Sequence, residues 1–138
     1  MSKIDTKDYQ DFVKKTISPA SSDISSFLTR LDSLYVDSIP LQVKIPELLT
    51  ASAGLSAESG EFTEVVKKIL FQGKPLDEDN IYHMKRELGD ICWYLAVACT
   101  ALNTTLEDVL VMNVEKLSAR YPQGFEIIKS EIRQDGDI

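Results

Sequence analysis

Long apolar runs are missing from these 138 residues: none approaches the roughly 18 to 20 that a membrane-spanning helix needs, so no membrane partner is expected. Positive charge is scarce as well. Lys and Arg number 15 against 22 Asp and Glu, a formal net charge of −7. That is the wrong sign for a nucleic-acid surface, which meets phosphates with an excess of cations. A small anionic substrate stays open, because a bound metal and a few local cations can invert the field within a cleft. Histidine is reduced to His83, so a catalytic triad or a multi-histidine zinc site would hang on one residue, whose expected place is a partly exposed helix face. The Glu-x-x-His pairs of di-iron bundles and the Gly-x-x-x-x-Gly-Lys phosphate loop do not occur.

The two cysteines, Cys92 and Cys99, fall in one predicted helix. Two turns place their Cα atoms about 10 Å apart, beyond the roughly 7 Å that a disulfide spans, so both are expected as small buried apolar residues. Apolar content of 43% and charged content of 27% are those of a soluble globular chain of one domain, residues 1–138. The opening Met1-Ser-Lys-Ile-Asp5 lacks the charged and apolar blocks of a signal peptide, which makes the cytoplasm the expected compartment.

What is present reads as helix throughout, without sustained period-two alternation. Tyr9, Phe12 and Val13 mark a short first helix ending before Ser18-Pro19. Ile24, Phe27, Leu28, Leu31 and Leu34 mark a second, opened by Ser22 or Asp23 as cap. Ser38 to Pro46, with two prolines, reads as a connection. A third helix spans about Pro46 to Leu70, closed by Gly73 and Pro75. A fourth follows the acids Asp77, Glu78 and Asp79 and continues to about Leu102 through Met84, Leu88, Ile91, Cys92, Leu95 and Cys99. Thr104 to Glu107 reads as a capping box for a fifth, and so short a link predicts an antiparallel hairpin of the fourth and fifth helices. Residues 126–138 read as a frayed tail. The expected fold class is all-α, a helical bundle of about five helices with a four-helix core.

Two acid pairs stand out within the third and fourth helices: Glu58-Ser-Gly-Glu61 and Glu87-Leu-Gly-Asp90. Residues three apart share a helical face, and both pairs lie beside apolar positions where carboxylates are costly unless a cation compensates them. Four such acids suit a hard divalent cation, Mg²⁺ above all, held together with substrate phosphates. Glu64 continues the ridge, although a surface ion pair with Lys67 or Lys68 accounts for it equally well. Gly54 and Gly60 sit among these acids, where a neighbouring helix or a ligand would need close approach. On the fifth helix Asn113, Lys116 and Arg120 share one face, with Tyr121 next, a stripe able to hold a polyphosphate. Trp93 and Tyr94 follow the second acid pair; core packing is their ordinary reading, base stacking the alternative.

The segments Gly54 to Glu64, Lys67-Lys-Ile-Leu-Phe-Gln-Gly-Lys74 and Glu87 to Leu95 together resemble the MazG-like nucleoside triphosphate pyrophosphohydrolases of the all-α NTP pyrophosphatase superfamily. The family's Glu-x-x-Glu and Glu-x-x-Asp fall on Glu58, Glu61, Glu87 and Asp90, and Asn113 to Pro122 is similar to its closing motif. The resemblance covers about residues 48–125. It implies Mg²⁺-dependent hydrolysis of a (deoxy)nucleoside triphosphate to the monophosphate and pyrophosphate, and a bundle completed in a homodimer or homotetramer. In that reading Glu58, Glu61, Glu87 and Asp90 hold the metal, with Glu61 or else Glu64 as general base. Asn113, Lys116, Arg120 and Tyr121 bind the substrate. Members of the superfamily that cleave dUTP or phosphoribosyl-ATP share the acid pattern, and a helical module that binds nucleotide or metal without turnover is the alternative of another class.

Overall fold

Aspartates open three of the helices. Asp5, Asp23 and Asp77 each accept a backbone N–H from the first turn, from Lys7 at 2.8 Å, Ser26 at 2.7 Å and Asn80 at 2.9 Å, which satisfies donors that a helix start otherwise leaves orphaned. The computed structural model describes residues 5–131, and within them the chain is all-α, with seven helices: α1 Thr6–Thr16, α2 Pro19–Ser22, α3 Ile24–Leu41, α4 Ile45–Phe71, α5 Glu78–Ala101, α6 Leu106–Arg120 and α7 Ile127–Glu131. Two compact units divide it, Met1–Gln42 and Val43–Ile138.

The first unit holds α1 to α3, with α2 packed on α3. Pro19 at the first helical position, behind Ser18, gives a four-residue α2 where the sequence suggested only a break. The expected connection from Ser38 does not begin there. Helix α3 continues through Pro40 to Leu41 and stops at Gln42, whose φ of 56° is left-handed. Pro40 lies in the final turn of α3, with only Leu41 of the helix beyond it, and the Gln42 N–H reaches back to the Ile39 carbonyl at 3.2 Å.

The second unit is built on the antiparallel pair α4 and α5. The Lys44 N–H, at the start of α4, donates to the Ala101 carbonyl at the end of α5 at 2.8 Å. Further along, a Cβ built on Gly54 would lie 2.2 Å from the Tyr94 ring. Ala51, Gly54 and Val65 of α4 and Cys99 and Ala101 of α5 are buried on this seam, so small residues let the two backbones approach. Cys92 and Leu88, one turn apart on the outward stripe of α5, are exposed rather than in the core. Trp93 is 59% exposed and so not a core residue either.

Helix α6 departs from the expected hairpin: its axis turns 96° from that of α5. Asn103 takes a left-handed φ of 54°, and the Thr104 N–H donates to the Cys99 carbonyl at 3.0 Å, a Schellman-type closure. The capping box is Thr105 with Asp108, one residue later than expected, both reciprocal bonds being made. Four residues, Leu102 to Thr105, join the two helices, and the left-handed Asn103 followed by the extended cap residue Thr105 sets them near a right angle. The end of α6 also differs from a frayed tail. Arg120 donates from Nε to the Lys129 carbonyl at 2.9 Å and from a terminal nitrogen to the Ser130 carbonyl at 3.0 Å, tying down α7. Residues 132–138, the rest of the expected tail, lie outside the described residues.

The Gly54 contact makes a testable demand. Alanine is favoured over glycine in a helix by about 1 kcal/mol, whereas overpacking costs about 1–3 kcal/mol, so Gly54→Ala is expected to lower the unfolding midpoint. In a Tyr94→Ala background the same change should raise it, by about 1 kcal/mol of stability. Denaturant unfolding of the four proteins checks this; a Gly54→Ala effect of one sign in both backgrounds would show that the ring does not set the approach.

Candidate metal centre

The register fixed at Gly54 and Tyr94 dictates what comes next along both helices. One turn onward from Gly54 is Glu58, and one turn back from Tyr94 is Asp90. Three residues further in each direction are Glu61 and Glu87. The acid pairs, distant in sequence, therefore face each other across the α4–α5 seam.

One carboxylate oxygen from each of Glu58, Glu61 and Glu87 lies within 4.8 Å of the others. Oxygens bound to one Mg²⁺ at about 2.1 Å are at most about 4.2 Å apart, so a small inward adjustment would bring this set to the span of a bound hard cation. Asp90 is exposed and stands outside that trio, yet its charge acts on Glu58. Glu58 is half-buried, and burial, followed by the charges of Glu61, Asp90 and Glu87, raises its pKa above the ordinary glutamate value. Like charges gathered at a seam oppose ionisation unless a cation compensates them. The donor set, all oxygen and all anionic, suits a divalent cation.

Glu87 is the buried member, its side chain 8% exposed, and His83 Nε2 donates to its Oε1 at 2.9 Å. Sequence reading gave His83 no part in the site. The available signal was the four-residue step from His83 to Glu87, which places both on one helical face. Such a bond fixes the orientation of the carboxylate and leaves its other oxygen for a ligand.

Glu64 belongs to a different arrangement. Lys67 donates to it, Lys68 Nζ stands 3.2 Å from its other oxygen, and these hydrogen bonds lower its pKa. The ion pairs expected of Glu64 with Lys67 or Lys68 are both formed. Asn113, Lys116, Arg120 and Tyr121 are carried on or at the end of α6, which turns away at 96°, so within one chain they do not line the acid seam. The Arg120 guanidinium also lies 5.4 Å from the Tyr121 ring, in addition to its bonds to α7. Trp93 meets Tyr94 edge-on at 4.8 Å and lines a cavity of about 490 Å³ with Pro46, Thr50, Ala96 and Val97.

Residues 47–125 match the family profile of the MazG nucleotide pyrophosphohydrolase domain. This chain belongs to the MazG family. Over 81 residues it is 35% identical to the Gene 37 protein of Mycobacterium phage L5, a match covering 58% of this chain and 71% of that protein. No solved structure gives a significant match. The MazG region takes in α4, α5 and α6 and so all four acids, while α1 to α3 fall outside it. No single described helix of this MazG protein is long and apolar enough to cross a membrane.

Repulsion within the trio sets the response to metal and pH. Folding raises the proton affinity of Glu58, so its contribution to stability is intact below the ordinary glutamate pKa and is lost as pH rises through the raised value. Without metal, Glu58→Gln is expected to raise the thermal midpoint at neutral pH by a few degrees while removing most of the rise that a divalent cation brings. Thermal melts with and without MgCl₂ test this. A metal-free variant less stable than the parent would mean that the trio is not under electrostatic strain.

Proposed function

We propose that this protein is a Mg²⁺-dependent nucleoside triphosphate pyrophosphohydrolase, releasing nucleoside monophosphate and pyrophosphate in the sanitation or balance of a cytoplasmic nucleotide pool. The observation that carries the reading is the facing of two acid pairs across one seam in a MazG domain. Glu58, Glu61 and Glu87, with Asp90 beside them, would hold the metal. When bound, Mg²⁺ supplies positive charge to the phosphates and favours ionisation of water.

The residues divide the remaining work. Glu87, oriented by His83, would serve as a fixed ligand. Glu61 is exposed and can accept a proton, so it acts as general base on the water that attacks the α-phosphorus. The bond from the α-phosphorus to the bridging oxygen breaks, and pyrophosphate leaves with the electron pair. Glu64, the second choice as base, is less suited because its two lysine partners engage its oxygens and lower its proton affinity. Trp93, exposed and one turn beyond Asp90, offers a face for the nucleobase beside the 490 Å³ cavity.

A homodimer or homotetramer fits the exposed apolar surface. Leu110, Val114 and Leu117 of α6, at i, i+4 and i+7, are 42–62% exposed, a stripe that a second copy would cover. The same association would bring Asn113, Lys116, Arg120 and Tyr121 of one protomer to the acid seam of another, restoring their expected part in holding the triphosphate.

The deciding assay follows pyrophosphate and monophosphate release from a panel of canonical and modified NTPs and dNTPs, with dUTP and phosphoribosyl-ATP included, in Mg²⁺ and in chelator. Metal-dependent release is expected, and Glu61→Gln or Asp90→Asn should reduce it by about 10²-fold or more with unchanged helical circular dichroism. Folded, metal-loaded protein silent on every nucleotide would overturn the reading in favour of a binding module.

A further inference from the structure

Helix α4 ends in a turn that serves more than closure. The N–H groups of Gln72 and Lys74 both donate to the Lys68 carbonyl, at 3.0 and 3.1 Å, with Gly73 between them at φ 72°. This left-handed step, which glycine adopts without strain, folds the chain back and sets Lys74 beside Lys68. Both lysines are half-buried and line a cavity of about 250 Å³, shared with Gly60, Glu61, Glu64 and His83. Lys68 already meets Glu64; Lys74 has no carboxylate partner among the described residues.

We infer that this cavity is a pyrophosphoryl pocket in which Lys68 and Lys74 receive the two terminal phosphates of the substrate and retain them as the leaving pyrophosphate. The inference rests on the hydrolytic reading above for its substrate, and on separate geometry for its place. Two residues belong to both features: Glu61 lines the cavity and is one of the clustered acids, and His83 lines the cavity while donating to Glu87. An anion in the cavity is thus adjacent to the proposed metal. A space of about 250 Å³ is large enough to admit a pyrophosphate group. A Cβ on Gly60 would meet nothing within 4 Å, so the wall beside Glu61 is open. The charges also explain a condition: Glu61 and Glu64 repel an anion that arrives without a divalent cation, so the lysines alone do not suffice.

Calorimetric titration of inorganic pyrophosphate into the full-length protein tests the pocket without turnover. In Mg²⁺, Lys74→Gln and Lys68→Gln should each weaken binding by about tenfold, the loss of one charge-assisted contact. Lys85→Gln, on the exposed face of α5, should change it by less than about twofold, as should Lys74→Gln on nucleoside monophosphate. Parent protein that does not bind pyrophosphate in Mg²⁺, or a Lys74→Gln variant that binds it equally well, would overturn the assignment. The two readings separate cleanly. Turnover on a nucleotide with unchanged pyrophosphate affinity in Lys74→Gln sinks the pocket alone, and weakened affinity with no turnover on any nucleotide sinks the hydrolase alone.

Discussion

The contact between Gly54 and the Tyr94 ring governs the second unit. A side chain at position 54 would collide with the ring at 2.2 Å, so the absence of one lets α4 and α5 close on a single register. That register puts Glu58 and Glu61 of one helix opposite Asp90 and Glu87 of the other. A slip of one residue would rotate each acid by about 100° around its helix and scatter the cluster. Apolar packing at Ala51, Val65, Cys99 and Ala101 therefore holds together a group of charges that repel one another. Packing and electrostatics oppose each other here: the apolar seam keeps the acids from separating, and a cation bound at the cluster would relieve their repulsion.

The helices were legible in the sequence because their ends are chemical. Asp23 and Asp77 announce starts, Gly73 announces a stop, and the 3.6-residue periodicity fills the intervals. The paired acids were legible for the same reason, being local patterns on single helices. What sequence reading missed are relations between elements. The 96° turn at Asn103 depends on a closure and a capping box that abut, and a box shifted by one residue, from Thr104 to Thr105, is enough to hide it. Pro40 misled for a related reason. A proline reads as a break because it loses its own hydrogen bond and crowds the preceding turn, yet here the helix runs one residue past it, to Leu41.

Arg120 shows the limit of motif logic most clearly. Beside the phosphate contact that its place in a cationic stripe suggests, its guanidinium donates to the carbonyls of α7 and lies 5.4 Å from the Tyr121 ring. A planar fork of donors satisfies two carbonyls as readily as an anion, and sequence does not distinguish these uses. His83 erred in the other direction. As the lone histidine it had no motif to belong to, and its part emerges only from the 2.9 Å bond to a buried Glu87.

Two sets of cations could thus meet a triphosphate, and they differ in what they require. Lys116 and its neighbours on α6 need a second copy to carry them to the acid seam. Lys68 and Lys74 are already next to Glu61, placed by the left-handed turn at Gly73. The two sets need not compete, because a triphosphate has two sides and the seam has two approaches. If Lys68 of α4 and Lys74 of the turn after it hold the leaving end from within the protomer, the exposed stripe of α6 is left to cover the rest of the substrate from the partner. Association would then do two things with one surface: bury the apolar residues of α6 and complete the anion site. Such coupling would make a monomer both less stable and less able to grip its substrate.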